Sequence, residues 1–417
     1  MTEYKRFELL DGVFLTAVRS EACEESCLAI TLLTQLTRET AALNAVLPHV
    51  LRRGSSRLAD TDAIDAALAE MGGATITPTV RKLGELQAIG LQATFPDAAF
   101  DRMARELTGM LLAPNTRGGL LRPDWVKAEA AALAERLSED TADDADRARA
   151  RLIEQMCCCE DFALSELGDV ESAESVHYQK LTHHYHDLLQ KSPVEIFYCG
   201  TQSPRETAQL FAELLVGMPR GEPDEELGTD VRMNSLESEP RTVCEALPAD
   251  ARAYLAVGWR LGDQMEDPDP AALRMLEAAL EQMLRSALAQ ETRVTLDLHK
   301  GLLMLDAPLR TSAETAMELV NAQLGLLASG TLSEETRAAA LAALEADLRA
   351  AETDAVCAER FWFERAPLGL LYSPEELLGL LQEVTSDDVA AAARSLECDM
   401  ICVGTPEPDD DNESLEA

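Results

Sequence analysis

Side chains able to do chemistry are unevenly placed along this chain. Four of its six histidines, His177, His183, His184 and His186, fall within ten residues, a density at which imidazoles could hold a transition metal. On a helix opening at Thr182, however, His183 and His186 share a face and His184 does not, so a solvated helix is expected. Three of the ten cysteines, Cys157, Cys158 and Cys159, are adjacent. Neighbours in a run make poor disulfide partners, and the run reads as a helix end packed against a sheet. Cys23 and Cys27 could share one helical face as two thiolate ligands, yet packing is expected there too. The sequence has no C-x-x-C pair, no G-x-S-x-G elbow, no P-loop and no G-x-G-x-x-G. Nucleophilic and phosphate-cradling chemistry therefore have no support. That leaves His49, which follows Pro48 in an apolar stretch.

The elements that must position these residues follow from composition and periodicity. The chain has 417 residues, which at about 150 per domain suggests two or three domains and a sizeable core. Hydrophobic residues are 47% but aromatics only 4%, so the apolar mass is largely Ala, Leu and Val and favours helix. Thirty-six Lys and Arg against 75 Asp and Glu leave a net charge of −39. Such a surface repels phosphate backbones and anionic membranes, whereas a basic peptide or small basic protein suits it. No apolar run reaches the roughly 18 residues of a membrane span. The opening MTEYKRFELLDG lacks a basic segment followed by an apolar core, so no signal peptide is expected. With the cysteine usage, this predicts a reducing cytoplasm.

Residues 218–240 are rich in Pro, Gly and acid and read as a linker; the acidic tail 406–417 reads as disordered. The flanking segments, 1–217 and 241–405, look related. Residues 119–137 align without gaps to 330–348 with seven identities, and 180–201 match 383–405 in the same order. Each of the latter pair runs from a helix opener through a helix to a short strand closed by Gly-Thr. Two matches in register argue for a duplicated αβ unit. In the first half, 12–20, 74–80 and 85–95 have strand composition, and 61–71, 97–112 and 123–158 read as amphipathic helices. In the second, strands are expected at 253–261, 293–298 and 301–306, with a helix over 269–288. The fold class is α+β: helices on one face of a mostly antiparallel sheet, made twice.

One passage, LNAVLPHVLRRGSSRLADTDAIDAALAEMGGATITPTVRKLGELQAIGLQA, resembles the pitrilysin/insulinase family of zinc peptidases, the inverzincins. In that family a helix bearing H-x-x-E-H is followed by a small-residue turn, a helix ending in a doubled Gly, and two strands. Gly54-Ser55 matches the turn, Gly72-Gly73 the helix end, and 74–80 with 85–95 the strand pair. The resemblance continues through 151–201, and covers the second half in outline.

By that resemblance the second His of the motif is His49, the Glu position is Pro48 and the first His position is Ala45. Two imidazoles one turn apart supply two zinc ligands, and the intervening carboxylate takes a proton from the bound water. The third-ligand helix is 123–137, where Glu129 and Glu135 are the candidates. In the favoured alignment Glu129 is the supporting acid and the ligand position falls on Arg136, a cation that would repel zinc. The motif is thus degenerate, and neither a bound metal nor any other cofactor is expected. The resemblance implies a noncatalytic member and half of a four-unit clam shell. It also implies an active zinc-bearing subunit as heterodimer partner, or a homodimer. An inactive bacterial branch of the family is associated with 5-aminopentanol modification of elongation factor P, and the resemblance extends to that role. The alternative is a structural protein that holds a peptide or protein without any peptidase partner.

Overall fold

The computed structural model describes residues 3–139, 144–222, 227–231, 239–261 and 269–407. The first half runs β1 (Glu3–Leu10), β2 (Val13–Arg19), β3 (Ser26–Gln35), α1 (Ala41–Leu51), α2 (Thr61–Glu70), β4 (Thr75–Leu83), β5 (Leu86–Phe95) and α3 (Phe100–Leu112). After a short hairpin, β6 (Thr116–Arg117) and β7 (Leu120–Leu121), come α4 (Pro123–Ser138), α5 (Asp144–Met156), α6 (Val170–Glu174), α7 (Tyr178–Lys191), β8 (Val194–Gly200) and α8 (Pro204–Leu214). The second half runs β9 (Arg241–Leu247), β10 (Tyr254–Arg260), α9 (Pro270–Ala287), β11 (Arg293–Asp297), β12 (Leu302–Pro308), α10 (Ala313–Ala328), α11 (Glu334–Thr353), α12 (Ala355–Arg365), α13 (Pro374–Glu383), α14 (Ser386–Arg394) and β13 (Glu397–Pro406).

The duplication read from sequence is present in the topology. The first large sheet has the order β1-β2-β8-β3-β5-β4 and the second β11-β12-β10-β13-β9. Reversed, the second sheet reads β9-β13-β10-β12-β11, the same path as β2-β8-β3-β5-β4. Each sheet has one parallel pair, β2 with β8 and β13 with β9, and its other neighbours are antiparallel. The expected single helix from 123 to 158 is interrupted: α4 ends at Ser138 and α5 starts at Asp144.

The compact units do not follow the sequence halves 1–217 and 241–405. One unit comprises residues 1–140, 164–229 and 348–374, and the other 141–163, 230–347 and 375–417. Helix α5, coded in the first half, packs on β10, β12 and β13, while α12, coded in the second, packs on β3 and β8. Each sheet therefore has both faces covered, not one. In β3, Leu28, Ile30 and Leu32 join the core formed with α1, α3 and α7, while Leu33 on the opposite face meets Phe363 of α12. Coverage on both sides is why β3 is a nearly unbroken buried apolar run. Gly90 of β5 is required by close approach: a Cβ there would lie 2.0 Å from the Ile30 carbonyl oxygen.

Ion pairs fasten both exchanged helices. Glu359 of α12 is 2% exposed and accepts two hydrogen bonds from the Arg81 guanidinium, at 2.7 and 2.9 Å. In the other unit, Leu152, Met156 and Cys157 of the α5 segment join Tyr254, Ala256, Met304 and Met400 in one cluster. Just beyond, Glu160 bridges Lys300 and Arg260, at 2.6 Å each, and Arg260 also pairs with Asp399 at 2.7 Å.

The expected linker is partly anchored. Met218 is buried, Arg220 donates to the carbonyls of Asp11, Leu189 and Ser192, and Thr229 Oγ1 accepts from the Glu85 amide. Residues 223–226 and 232–238 of that stretch lie outside the described residues, as does the expected disordered tail from 408 on.

Candidate functional site

Ala45, Pro48 and His49, the positions matched to the motif by resemblance, lie on α1. Ten of its eleven residues are buried, so the helix is held by apolar packing on β4, β5 and the helices α4, α6 and α7. Pro48 lies inside it, where a proline removes one backbone donor and crowds the preceding turn at about 3 kcal/mol. Ala45 is 1% exposed and presents only a methyl group. His49 alone of the eleven is half-buried. The expected turn follows: Ser55 Oγ accepts from the amides of Arg57 and Leu58, and a Cβ on Gly54 would strike Trp125 and the Ala59 carbonyl at 2.8 Å each. The doubled Gly72-Gly73 ends α2 with φ of +84° and +85°, which glycine adopts without strain.

Helix α4 brings Glu129, one of the two third-ligand candidates, to α1. Glu129 Oε2 lies 4.0 Å from His49 Nδ1, and Glu129 Oε1 accepts from Arg53 at 2.9 Å. The His49 pKa is lowered by burial first and by the Arg136 guanidinium second, with Glu129 opposing. Arg136 therefore acts electrostatically on the same imidazole. Glu135 is exposed. The assembled site is a neutral imidazole, an Arg53–Glu129 ion pair and a second guanidinium. His49 and Glu129 amount to two donors, short of the three protein ligands of a catalytic zinc. Among the described residues no cluster of three or more His, Cys, Asp or Glu could hold a metal. With Pro48 at the base position, no carboxylate stands one residue before His49 to accept a proton from water.

The residue next to Ala45 was not singled out by sequence reasoning. Asn44 is fully buried; its amide donates to Gln87 Oε1 at 2.7 Å, and its Oδ1 meets His184 Nε2. Gln87 donates in turn to the carbonyls of Ala41, at 3.0 Å, and Glu166. This corrects the solvated-helix reading of α7. His183 and His186 are exposed, but His184 turns inward and burial lowers its pKa. A lone Asn in the apolar run AALNAVLPHVL was the available signal, since a buried amide must find partners.

The second unit has a cavity of about 900 Å³ at the edge of its sheet, whose lining includes Arg252, Arg285, Arg293, Arg310 and Tyr254. Among them Arg310 pairs with Glu291 at 2.9 Å, Arg293 with Asp306 at 3.1 Å and Arg285 with Glu281 at 3.0 Å.

Comparison with known proteins gives this geometry a lineage. A family model described as the peptidase M16 inactive domain matches residues 175–344. The chain is 21% identical over 408 residues to the "Probable inactive metalloprotease YmfF" of Bacillus subtilis, covering 93% of this chain and 94% of that one. The chain is thus similar to inactive members of the M16 peptidases. That is the pitrilysin/insulinase resemblance of the sequence, in its noncatalytic form. A conserved protein from Enterococcus faecalis superposes with a TM-score of 0.79 at 19% identity, over 97% of this chain and 99% of that one. A structure described as the peptidase M16 inactive domain from Pseudomonas fluorescens gives 0.74 at 15%, over 97% and 99%. At these identities the structures show a shared fold. Among its described residues no helix is long and apolar enough to cross a membrane.

Proposed function

We propose that this M16 homologue is the noncatalytic subunit of a cytoplasmic zinc-peptidase pair, completing a peptide chamber for a partner with an intact H-x-x-E-H helix. The observation that carries the reading is α1 itself. By the family resemblance its motif positions hold Ala45, Pro48 and His49, with Arg136 at the third-ligand position and Glu129 as the supporting acid. The helix, turn and strand pair around a metal site are kept while the groups that bind metal and move protons are absent, which fits selection for shape over chemistry. The duplicated units supply two of the four that the family resemblance implies, so a second chain would complete the set.

The test is to mix the purified chain with an M16 partner from the same organism that carries intact H-x-x-E-H and to follow peptide turnover. Turnover should rise over that of the partner alone. Unchanged turnover would shift the weight to a structural protein that binds a peptide or protein without a peptidase partner. The link to elongation factor P rests on the resemblance. Loss of the 5-aminopentanol group from that factor in a strain lacking this chain would support it, and an unchanged modification would remove it.

A further inference from the structure

Three thiols meet on the face of the first sheet that α12 covers. Cys27 in β3 is the direct cross-strand partner of Cys199 in β8. Cys23, in the connection of residues 20–25 between β2 and β3, reaches over the end of β8 until its Sγ lies 3.9 Å from that of Cys199. Ser20 Oγ is 3.6 Å and the Glu352 carbonyl 3.8 Å from the same sulfur. The two partners are differently exposed: Cys199 is 1% accessible, whereas Cys23 is half-buried between exposed residues Glu21, Ala22, Glu24 and Glu25. The hydrogen bond from the Cys199 thiol brings Cys23 down to about 6, while that same bond and burial push Cys199 up. An accessible thiolate beside a protonated, sequestered thiol is the arrangement of a peroxide-reactive cysteine and its resolving partner.

We propose that Cys23 and Cys199 form a reversible dithiol–disulfide pair, oxidised by hydroperoxides. The Cys23 thiolate attacks the outer oxygen of the hydroperoxide, forming an S–O bond as the O–O bond breaks. The alkoxide leaves and takes a proton from water, giving the alcohol and Cys23 sulfenic acid. The Cys199 sulfur then attacks the Cys23 sulfur; the S–S bond forms, the S–O bond breaks, and the departing hydroxide leaves as water with the Cys199 proton. Two thiols and one hydroperoxide become one disulfide, one alcohol and one water, and a small-molecule thiol reverses the change. Closing from 3.9 Å to the roughly 2.05 Å of a disulfide falls to the connection at Cys23, because Cys199 is fixed between β2 and β3. Cys27 does not replace Cys23 as the thiol that reacts with peroxide, since burial and Glu359 hold it protonated. Cys158 and Cys159 are 3.8 Å apart, but they are sequence neighbours, whose disulfide is strained.

The experiment treats the reduced full-length chain with hydrogen peroxide at pH 6, quenches by alkylation, and maps peptides without reductant. A Cys23–Cys199 linked peptide should accumulate and vanish with dithiothreitol, and Cys23 should react about tenfold faster than exposed Cys244 or Cys357, the advantage of a thiolate of low pKa at that pH after its weaker nucleophilicity is allowed for. In Cys199→Ser, Cys23 should stop at a dimedone-trappable sulfenic acid; in Cys23→Ser, Cys199 should stay reduced. Thermal melting of both variants checks that they fold, and an alkylation time course on the wild-type chain reads Cys23 reactivity without any substitution. A Cys27–Cys199 link, a Cys158–Cys159 link alone, or Cys23 reacting no faster than Cys244 would overturn the proposal.

Discussion

At the scale of single residues, the motif positions are governed by what their side chains lack. Converting Ala45→His and Pro48→Glu would rebuild H-x-x-E-H around His49, yet Arg136 would still set its charge against the imidazole and Glu129 would still be held by Arg53 at 2.9 Å. The double variant should hydrolyse peptides no better than the parent, and elemental analysis should find well under one zinc per chain after mild chelation. Robust cleavage by that variant alone would show that Glu129 already serves as third ligand. His184 gives a second expectation. Burial lowers its pKa below 6.5 in the fold, Asp187 opposing and Lys180 adding to the shift, so between that lowered value and 6.5 the unfolded chain binds the extra proton. Its contribution to stability is present above pH 6.5 and lost as pH falls through that window. Melting temperatures of the parent should drop over that range, and His184→Gln should flatten this part of the curve. His49, Glu129 and Arg136 could be brought together from sequence because the spacing of a known motif fixed their helices. The Asn44–His184–Gln87 network could not, because its members are distant in sequence and share no pattern.

At the scale of elements, periodicity told helix from strand but not which sheet a helix would cover. The expected strands 74–80, 85–95 and 301–306 fall on β4, β5 and β12, and 269–288 on α9. Strand β3, SCLAITLLTQ, was not read as a strand because burial on both faces erases the alternation that marks one. Edge strand β9 hid at the margin of an acidic stretch. The apolar stripe of α12 carries no address at all; its destination is written in Glu359, Trp362 and Phe363, which meet Arg81, Tyr4 and Leu33. Glu359→Ala should leave the Arg81 guanidinium facing an apolar helix. Breaking a pair with one member so fully buried destabilises by about 3–5 kcal/mol, to be read as a lower urea midpoint with an unchanged slope.

At the scale of the whole molecule, each compact unit holds a helix from the other half of the chain. The composition of 218–240 invites cleavage there, and two separable domains would be the simple expectation. The exchange predicts otherwise. A chain nicked within 223–238 should run as two bands under denaturing conditions and as one species on size exclusion, since parting would strip α5 from β10 and α12 from β3. Fragments 1–229 and 230–417 expressed apart should be poorly soluble, and coexpression should restore them. Two fragments that elute separately and melt cooperatively would contradict this.

The same exchange bears on how the protein is made. Helix α5 is synthesised about 250 residues before β13, the last strand of the sheet it covers, is complete. At about 5–20 residues per second, Leu152 and Met156 wait roughly 12–50 s for their partners, while the first sheet waits for α12 with one face bare. Slowing translation beyond codon 240 lengthens that exposure, so soluble yield should depend on elongation rate late in the message and on chaperones that hold nascent chains.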